Sequence, residues 1–508
     1  MRQPTKLTAL LLLSSLLAAC GSLPARTQEA PAPVIDTQDT MLARTARKLA
    51  DTHADLSGIY PLEHGRDALI ARLALAMTAE KTLDLQYYIW HNDVTGRLVT
   101  AKVVEAADRG VKVRVLLDDV GSKPDDETLL ALAGHPNIEV RLFNPVSQRW
   151  LRTLGMLLEF RRVNRRMHNK SFTADDHVTI VGGRNIGDEY FEANPEIDFS
   201  DLDVLAIGPV VAQVETSFDL YWRHERAIPI KAFYPRVDTQ AKLAALRVTL
   251  AAQQRLDRAT GYLQQLQKDA LALQLRDATL PFYWGNAQAL YDHPDKLTEQ
   301  PTRTLIERLA PVATQTDRSL DIVSPYFVPG KGGTAWLVQR VAQGMHVRVL
   351  TNSLAATDVG MVHAGYAPYR KPLLKGGVQL YELKPDPTHP RPKGGSGWTG
   401  SSRASLHAKS FIFDRRHVFI GSLNLDPRSI ELNTEIGILL DSPALADHMA
   451  DQFDELVAEK AYRLALDDGQ LQWHEPGGDG MHTHDPETSF LRRLGVDFLR
   501  LLPIESQL

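Results

Sequence analysis

From Met41 onward, apolar residues recur at two different periods. Ala68 to Thr82 and Val103 to Arg109 place them at helical spacing, whereas LDLQYYIW (83–90) and VKVRVLL (111–117) are short runs of strand-forming residues. Alternation of the two patterns predicts an α/β fold. Residues 21–40 are rich in Pro, Ala, Thr and Gln without an apolar period and predict an extended tether. Residues 239–279, rich in Gln, Leu and Ala, predict a helical linker. At the end of the chain, Phe490, Leu494, Phe498 and Leu501 fall at helical spacing among Arg492, Arg493 and Arg500. Such an amphipathic segment suits packing on its own domain or a membrane surface.

The pattern occurs twice. LDLQYYIW from Leu83 matches LDIVSPYF from Leu320 at an offset of 237, and VRVL from Val113 matches Val347 at 234. IEVRLFNP from Ile138 matches VQLYELKP from Val378 at 240, and HNKSFTADDHVTIVGGRN from His168 matches HAKSFIFDRRHVFIGSLN from His407 at 239. Four matches in one order with little drift predict a duplicated chain. The expected organisation is a first half over 45–238, a linker over 239–285 and a second half over 286–508.

Charge and cysteine usage narrow the setting. The 508 residues are 44% apolar with a formal net charge of -5, which excludes a disordered chain and a polycation built to coat nucleic acid. The single cysteine, Cys20, rules out an intrachain disulfide and follows Arg2, Lys6 and an apolar run from Leu7 to Ala19. That run is shorter than the ~20 residues a spanning helix needs and reads as a signal peptide over 1–19. Leu17-Ala18-Ala19-Cys20 resembles a bacterial lipobox. The resemblance implies a lipidated Cys20, a tether over 20–44 and anchoring in the cell envelope. Gly21, where an inner-membrane retention signal places Asp, implies the periplasmic face of the outer membrane.

Chemistry concentrates in the longest repeat. His168, Lys170 and Asp175 form H-x-K-x4-D, followed by Gly182-Gly183-Arg184-Asn185; His407, Lys409 and Asp414 are followed by Gly421-Ser422-Leu423-Asn424. In a strand reading, His168 and Lys170 share a face. An imidazole can attack phosphorus or protonate a leaving oxygen, an ammonium neutralises phosphoryl oxygens, and an amide donates to them. One copy supplies a nucleophile or an acid; two copies supply both.

The duplicated HxKx4D with its downstream Gly and Asn resembles the phospholipase D superfamily over nearly all of the mature chain. The resemblance implies two similar α/β halves packed with the active site between them, and no metal or cofactor. It assigns His168 as nucleophile and His407 as general acid and then base, with Lys170, Lys409, Asn185 and Asn424 on the phosphoryl oxygens. Asp175 and Asp414 become orienters or ion-pair partners within each half. Ser422 keeps the family's serine, while Gly183 departs from it. Glu435 resembles an acid that pairs with the nucleophilic histidine, with Asp201 or Asp203 as its counterpart.

The substrate is read from the rest of the chain. Arg149 to Lys170 holds seven basic residues and one acidic, with Trp150, Leu151, Leu154, Met156, Leu157, Leu158 and Phe160 between them, a mixture suited to an interfacial helix or to a core helix with a basic end. NRRMHNKSF, VHAGYAPYRKPLLKGGVQLYEL (362–383) and the ending LLPIESQL resemble bacterial cardiolipin synthases, although their two N-terminal transmembrane helices have no counterpart here. That branch implies phosphatidyl transfer through a phosphohistidine, with phosphatidylglycerol and phosphatidylethanolamine as substrates and Tyr366, Tyr369 and Arg370 as headgroup contacts. The alternatives are a hydrolytic phospholipase D, which shares every catalytic residue, and a nuclease, which the acidic charge and the apolar residues among the arginines disfavour.

Overall fold

The computed structural model describes residues 23–24, 35–121, 126–193, 198–253, 261, 270–298, 300–385 and 404–501. Cys20, the signal segment, most of the tether and the chain after Leu501 lie outside the described residues. The first half contributes strands β1 (Ser57–Leu62), β2 (Thr82–Tyr87), β3 (Lys112–Asp118), β4 (Ile138–Phe143), β5 (Ser171–Ala174), β6 (Val178–Gly182), β7 (Asp198–Ser200), β8 (Asp203–Ile207) and β9 (Ala227–Pro229). The second contributes β10 (Tyr283–Tyr291), β11 (Ser319–Val323), β12 (His346–Asn352), β13 (Gln379–Leu383), β14 (Ala404–Leu406), β15 (Ser410–Phe413), β16 (His417–Gly421), β17 (Ile436–Asp441) and β18 (Ala461–Asp467).

The two sheets match strand for strand as far as β9 and β18, beyond which the second adds β19 (Gln470–His474) and β20 (Met481–His482). The first runs β1-β8-β6-β5-β2-β3-β4-β9 and the second β10-β17-β16-β15-β11-β12-β13-β18. In each, three strands are parallel, β2-β3-β4 and β11-β12-β13, because helices such as Val94–Asp108 and Gly330–Ala342 carry the chain back between them. Antiparallel pairing of β1 with β10, Ile59 opposite Tyr283, joins the two edges.

Alternation along the strands feeds different cores. In β15, Phe411 and Phe413 face a helix-covered core with Leu320, Val347 and Leu337, while Ile412 between them faces the other half. The same parity in β6 sends Val178 and Ile180 to the first half's core and Val181 to the shared one. The shared core sets Val181, Val204 and Ala206 against Ile420, Ile436 and Ile438. The molecule is therefore layered helix, sheet, sheet, helix, with each sheet buried on both faces.

Two features differ from the simplest sequence reading. The stretch read as a linker packs on the first half: Leu250 of helix Thr239–Gln253 and Leu271 of helix Ala270–Asp277 are buried in its core, and β10 begins at Tyr283. At the C-terminus, helix Phe490–Leu499 buries only Val496, against Leu354 and Ala364, and leaves Phe490, Leu491, Leu494 and Phe498 exposed. Among the described residues, no helix is long and apolar enough to cross a membrane.

Candidate active site

The segment carrying His168 lies across the ends of the parallel strands. Asp118, the last residue of β3, accepts the Met167 amide at 3.0 Å and pairs with Arg166 at 3.1 Å. His168 and Lys170 precede β5 rather than lying within it, so the shared-strand-face argument does not place them; the backbone crossing between halves does. His168 N–H donates to Thr434 O at 2.9 Å, and Thr434 N–H returns a bond to Arg166 O. In the other direction, β14 pairs in parallel with β7, and the amides of His407 and Ala408 both donate to Ser200 O.

The crossing exchanges carboxylates. His168 Nδ1 bonds Glu435 Oε2 of the second half at 2.8 Å, and His407 Nδ1 bonds Asp201 Oδ2 of the first at 2.5 Å. Nδ1 donation to a carboxylate leaves each Nε2 available for chemistry. Both imidazoles are nearly buried, and each is flanked edge-on by a tyrosine: Tyr88 at 5.0 Å from His168 and Tyr190 at 5.4 Å from His407. Lys170 and Lys409 are fully buried beside them, each donating to the carbonyl of its own histidine.

The two dyads differ electrostatically. Asp201 has both oxygens occupied, Oδ2 by His407 and Oδ1 by Leu202 N–H. Burial would raise its carboxyl, but the charges of His407 and Lys409 outweigh it and hold the group well below the usual range. Glu435 is longer; its Oε2 takes both His168 and Ser422 Oγ–H, and its Oε1 is buried without a partner. Burial raises it to about 7, against the pull of Lys170. Burial likewise lowers Lys170 to about 7. The His168 imidazole falls well below its ordinary value through burial and then the charges of Lys170 and Lys409, and His407 is lowered by burial and Lys409.

Several sequence assignments change. Asp175 and Asp414 are neither ion-pair partners nor site residues. Each sits in the hairpin turn at the far end of the strand, with φ of 48° and 54°, and its carboxylate accepts three backbone amides: Glu80, Lys81 and Thr82 for Asp175, Asp317, Arg318 and Ser319 for Asp414. Turns of this kind need left-handed φ, which Asp tolerates. Tyr366, Tyr369 and Arg370 are not headgroup contacts on an open surface; all three are buried, and Arg370 is held by Glu382 at 2.8 Å and Asp485 at 2.7 Å. Ser422 Oγ serves Glu435. Asn185 is committed to Ile89 N–H and Tyr190 Oη, while Asn424 reaches Ser429 Oγ at 3.5 Å and keeps a buried, unpartnered Oδ1.

Between Asp201 and Asp203 the geometry chooses Asp201, because Asp203 is taken by Arg72 and the Arg184 amide. It also accounts for Gly183: a Cβ there would stand 2.1 Å from Asp201 Oδ1. Tyr88 and Tyr190 lie outside the HxKx4D motif, and the sequence alone does not single them out. Among the described residues, the acid and histidine groups close enough to hold a cation are His91-Asp93-Glu189 and Asp84-Asp176-Glu215, and neither includes a dyad member.

Comparison with known proteins agrees with this geometry. The family described as "Cardiolipin synthase, PLD-like domain" matches residues 73–222 and 310–457. Cardiolipin synthase C of Escherichia coli is 45% identical over 91% of this chain and 99% of its own length. An uncharacterized protein of Helicobacter pylori is 34% identical over 87% of this chain and 88% of its own. The crystal structure of phosphatidylserine synthase from Haemophilus influenzae superposes with a TM-score of 0.58 at 13% identity, covering 91% of this chain and all of that one, which shows a common fold. Two matched segments, one in each half and each carrying one histidine of the crossed dyads, place the chain in the phospholipase D-like family that contains the cardiolipin synthases.

Proposed function

We propose that the protein is a phosphatidyltransferase of cardiolipin synthase type, working at a membrane surface. The observation that carries the reading is the crossed pair of dyads, which supplies one neutral imidazole and one imidazole backed by an ionised carboxylate. His168, the more strongly lowered of the two and paired with a Glu435 that is itself near half-protonated at neutral pH, suits the nucleophile. His407, facing Asp201 in its ionised form, suits the proton carrier, because the carboxylate stabilises imidazolium.

The reaction then runs in two displacements. His168 Nε2 attacks the phosphorus of the donor phosphodiester, forming an N–P bond as the P–O bond to the headgroup alcohol breaks. His407 gives its Nε2 proton to the leaving oxygen. The glycerol hydroxyl of a phosphatidylglycerol replaces that alcohol, returns a proton to His407 and attacks phosphorus, and the N–P bond breaks to release the lipid product and neutral His168. Lys170 and Lys409 neutralise the phosphoryl oxygens throughout.

A lipid substrate is supported by the name of the Escherichia coli relative and by the chain just ahead of the first motif. Helix Arg152–Leu158 and its flanks expose Trp150, Leu151, Leu154, Leu157, Leu158 and Phe160, with Trp150 94% exposed. Farther along the same segment, Arg162, Arg165 and Arg166 lie within electrostatic reach of Arg226, with Glu225 opposing them. An exposed apolar crest fits a bilayer surface better than a sugar-phosphate backbone. Lipidated Cys20 would add the second attachment that stable anchoring requires.

The test is lipid mass spectrometry on protein mixed with phosphatidylglycerol and phosphatidylethanolamine vesicles, chelator present. Cardiolipin is expected from the wild type and from neither His168→Ala nor His407→Ala. Phosphatidic acid alone would make the protein a hydrolase, and DNA cleavage without lipid turnover would overturn the lipid reading.

A further inference from the structure

The loop after β12 brings a carboxylate to the His407 side of the site. Asn352, the last residue of β12, matches Asp118 of β3 at the repeat offset of 234 and, like it, holds the amide just before the motif histidine. Its Oδ1 accepts the Leu406 amide at 2.9 Å, and its Nδ2 donates to Leu406 O at 2.9 Å and to Pro325 O at 3.4 Å. Those carbonyls directly precede His407 and Tyr326, so one side chain ties together the segments that carry them. Tyr326 Oη donates in turn to Oδ2 of Asp358 at 2.8 Å, just ahead of helix Gly360–Tyr366. The Asp358 carboxylate is within electrostatic reach of His407, Lys409 and Tyr190. It is only partly buried, and among the described residues none donates to its Oδ1.

Other acids in comparable places are spent on the fold. After β3, Asp118 holds Arg166, and Asp119 holds Arg149 and Arg152. Asp426, also within reach of Lys409, is buried and bound by the Ser429 amide at 2.7 Å. The chemistry says what Asp358 faces. Entering and leaving groups lie in line at phosphorus, so attack by His168 sends the leaving oxygen out on the far side, toward His407. The rest of the headgroup alcohol extends past that histidine, and the incoming alcohol takes the same place in the second displacement. Tyr190 and the Tyr326–Asp358 pair border this side. Ethanolamine and glycerol share one feature there: each carries a hydrogen-bond donor, ammonium or hydroxyl, on the carbon next to the one bearing the reacting oxygen. A carboxylate accepts from either, and more strongly from the ammonium.

We infer that Asp358 determines specificity at the alcohol subsite: its Oδ1 accepts a hydrogen bond from the second donor of the headgroup alcohol, while Tyr326 holds its Oδ2 in place. The inference rests on the lipid-substrate reading above. An alcohol without that donor gains nothing from the carboxylate, so the residue selects among headgroups rather than driving the displacement itself.

In a two-displacement reaction, kcat/KM for the donor lipid, read as release of its headgroup alcohol, reports the first displacement alone. Asp358→Ala should lower it roughly tenfold for phosphatidylethanolamine and about fivefold for phosphatidylglycerol, while phosphatidylethanol, whose alcohol has no second donor, stays within about twofold. Asp358→Asn, which keeps an acceptor and the Tyr326 bond but not the charge, should spare phosphatidylglycerol and still lose phosphatidylethanolamine. A loss shared equally by the three lipids, or no loss on any, would overturn the inference. Binding supplies a measure that needs no turnover. Calorimetry on the full chain carrying His168→Ala should find the methyl diester of phosphoethanolamine bound roughly tenfold tighter than ethyl methyl phosphate, and adding Asp358→Ala should erase the preference. No preference, or one that survives the substitution, would sink the subsite. The preference together with an absence of lipid turnover by wild type would retire the lipid reading and leave the subsite standing.

Discussion

At the scale of single residues, the near-symmetry of the two motifs breaks at the carboxylates. Glu435 with Ser422 and Asp201 with Gly183 are matched pairs: the longer acid reaches over a serine, whereas the shorter one sits where a Cβ would be. This asymmetry predicts which histidine becomes phosphorylated. With His407→Ala and bis(p-nitrophenyl) phosphate, whose leaving group needs no acid, an adduct should accumulate on the peptide containing His168; peptide mass spectrometry finding it on no His168 peptide would contradict the assignment. Lys170 gives a pH prediction. Burial lowers it to about 7, so the free enzyme holds the cation below that pH and loses it above. The expected profile of kcat/KM declines on the alkaline side from about pH 7, and Lys170→Arg, which cannot deprotonate, should move that decline upward even if its larger head lowers the plateau. A decline left in place by the arginine would assign it to another group, with Glu435 next in line.

At the scale of elements, the aspartate of HxKx4D belongs to the hairpin rather than to the chemistry. Asp414 holds the chain ahead of β11 by three amide bonds, and those amides outweigh burial and lower its carboxyl below the ordinary value. A depressed folded-state value means that this contribution is present above the unfolded value of about 3.9 and is lost as pH falls through the folded one. Asp414→Asn should cost about 1 kcal/mol, the lower end for such bonds because the group is partly solvated, with kcat per folded molecule unchanged. Thermal melts at neutral and acid pH check it: the gap between variant and wild type should narrow in acid. The buried Arg370 is a second such case. Its partners Glu382 and Asp485 come from a strand and from the loop before the last helix, a convergence that the string VHAGYAPYRKPLLKGG does not disclose.

At the scale of the whole molecule, neither half holds a complete dyad, and the apolar crest around Leu157 stands immediately ahead of the first histidine in the chain. If that crest docks on lipid, Leu157→Glu with Leu158→Glu should cut turnover of phosphatidylglycerol vesicles on the order of tenfold while sparing a soluble diester, since both positions point to solvent and touch no dyad member. Equal activity on vesicles would remove the crest from the membrane account. The duplication, the α/β class, the two histidines and the two lysines were legible in the sequence, because repeats and residue chemistry are local properties that survive reading one strand at a time, whereas Glu435 came from the family resemblance. The choice of Asp201 over Asp203, the reason for Gly183, the tyrosines beside each imidazole, the structural role of Asp175 and Asp414 and the burial of Arg370 were decided only by the tertiary structure. Each depends on which distant segments meet across the two halves or within one of them, and on the burial that sets how strongly charges are felt there.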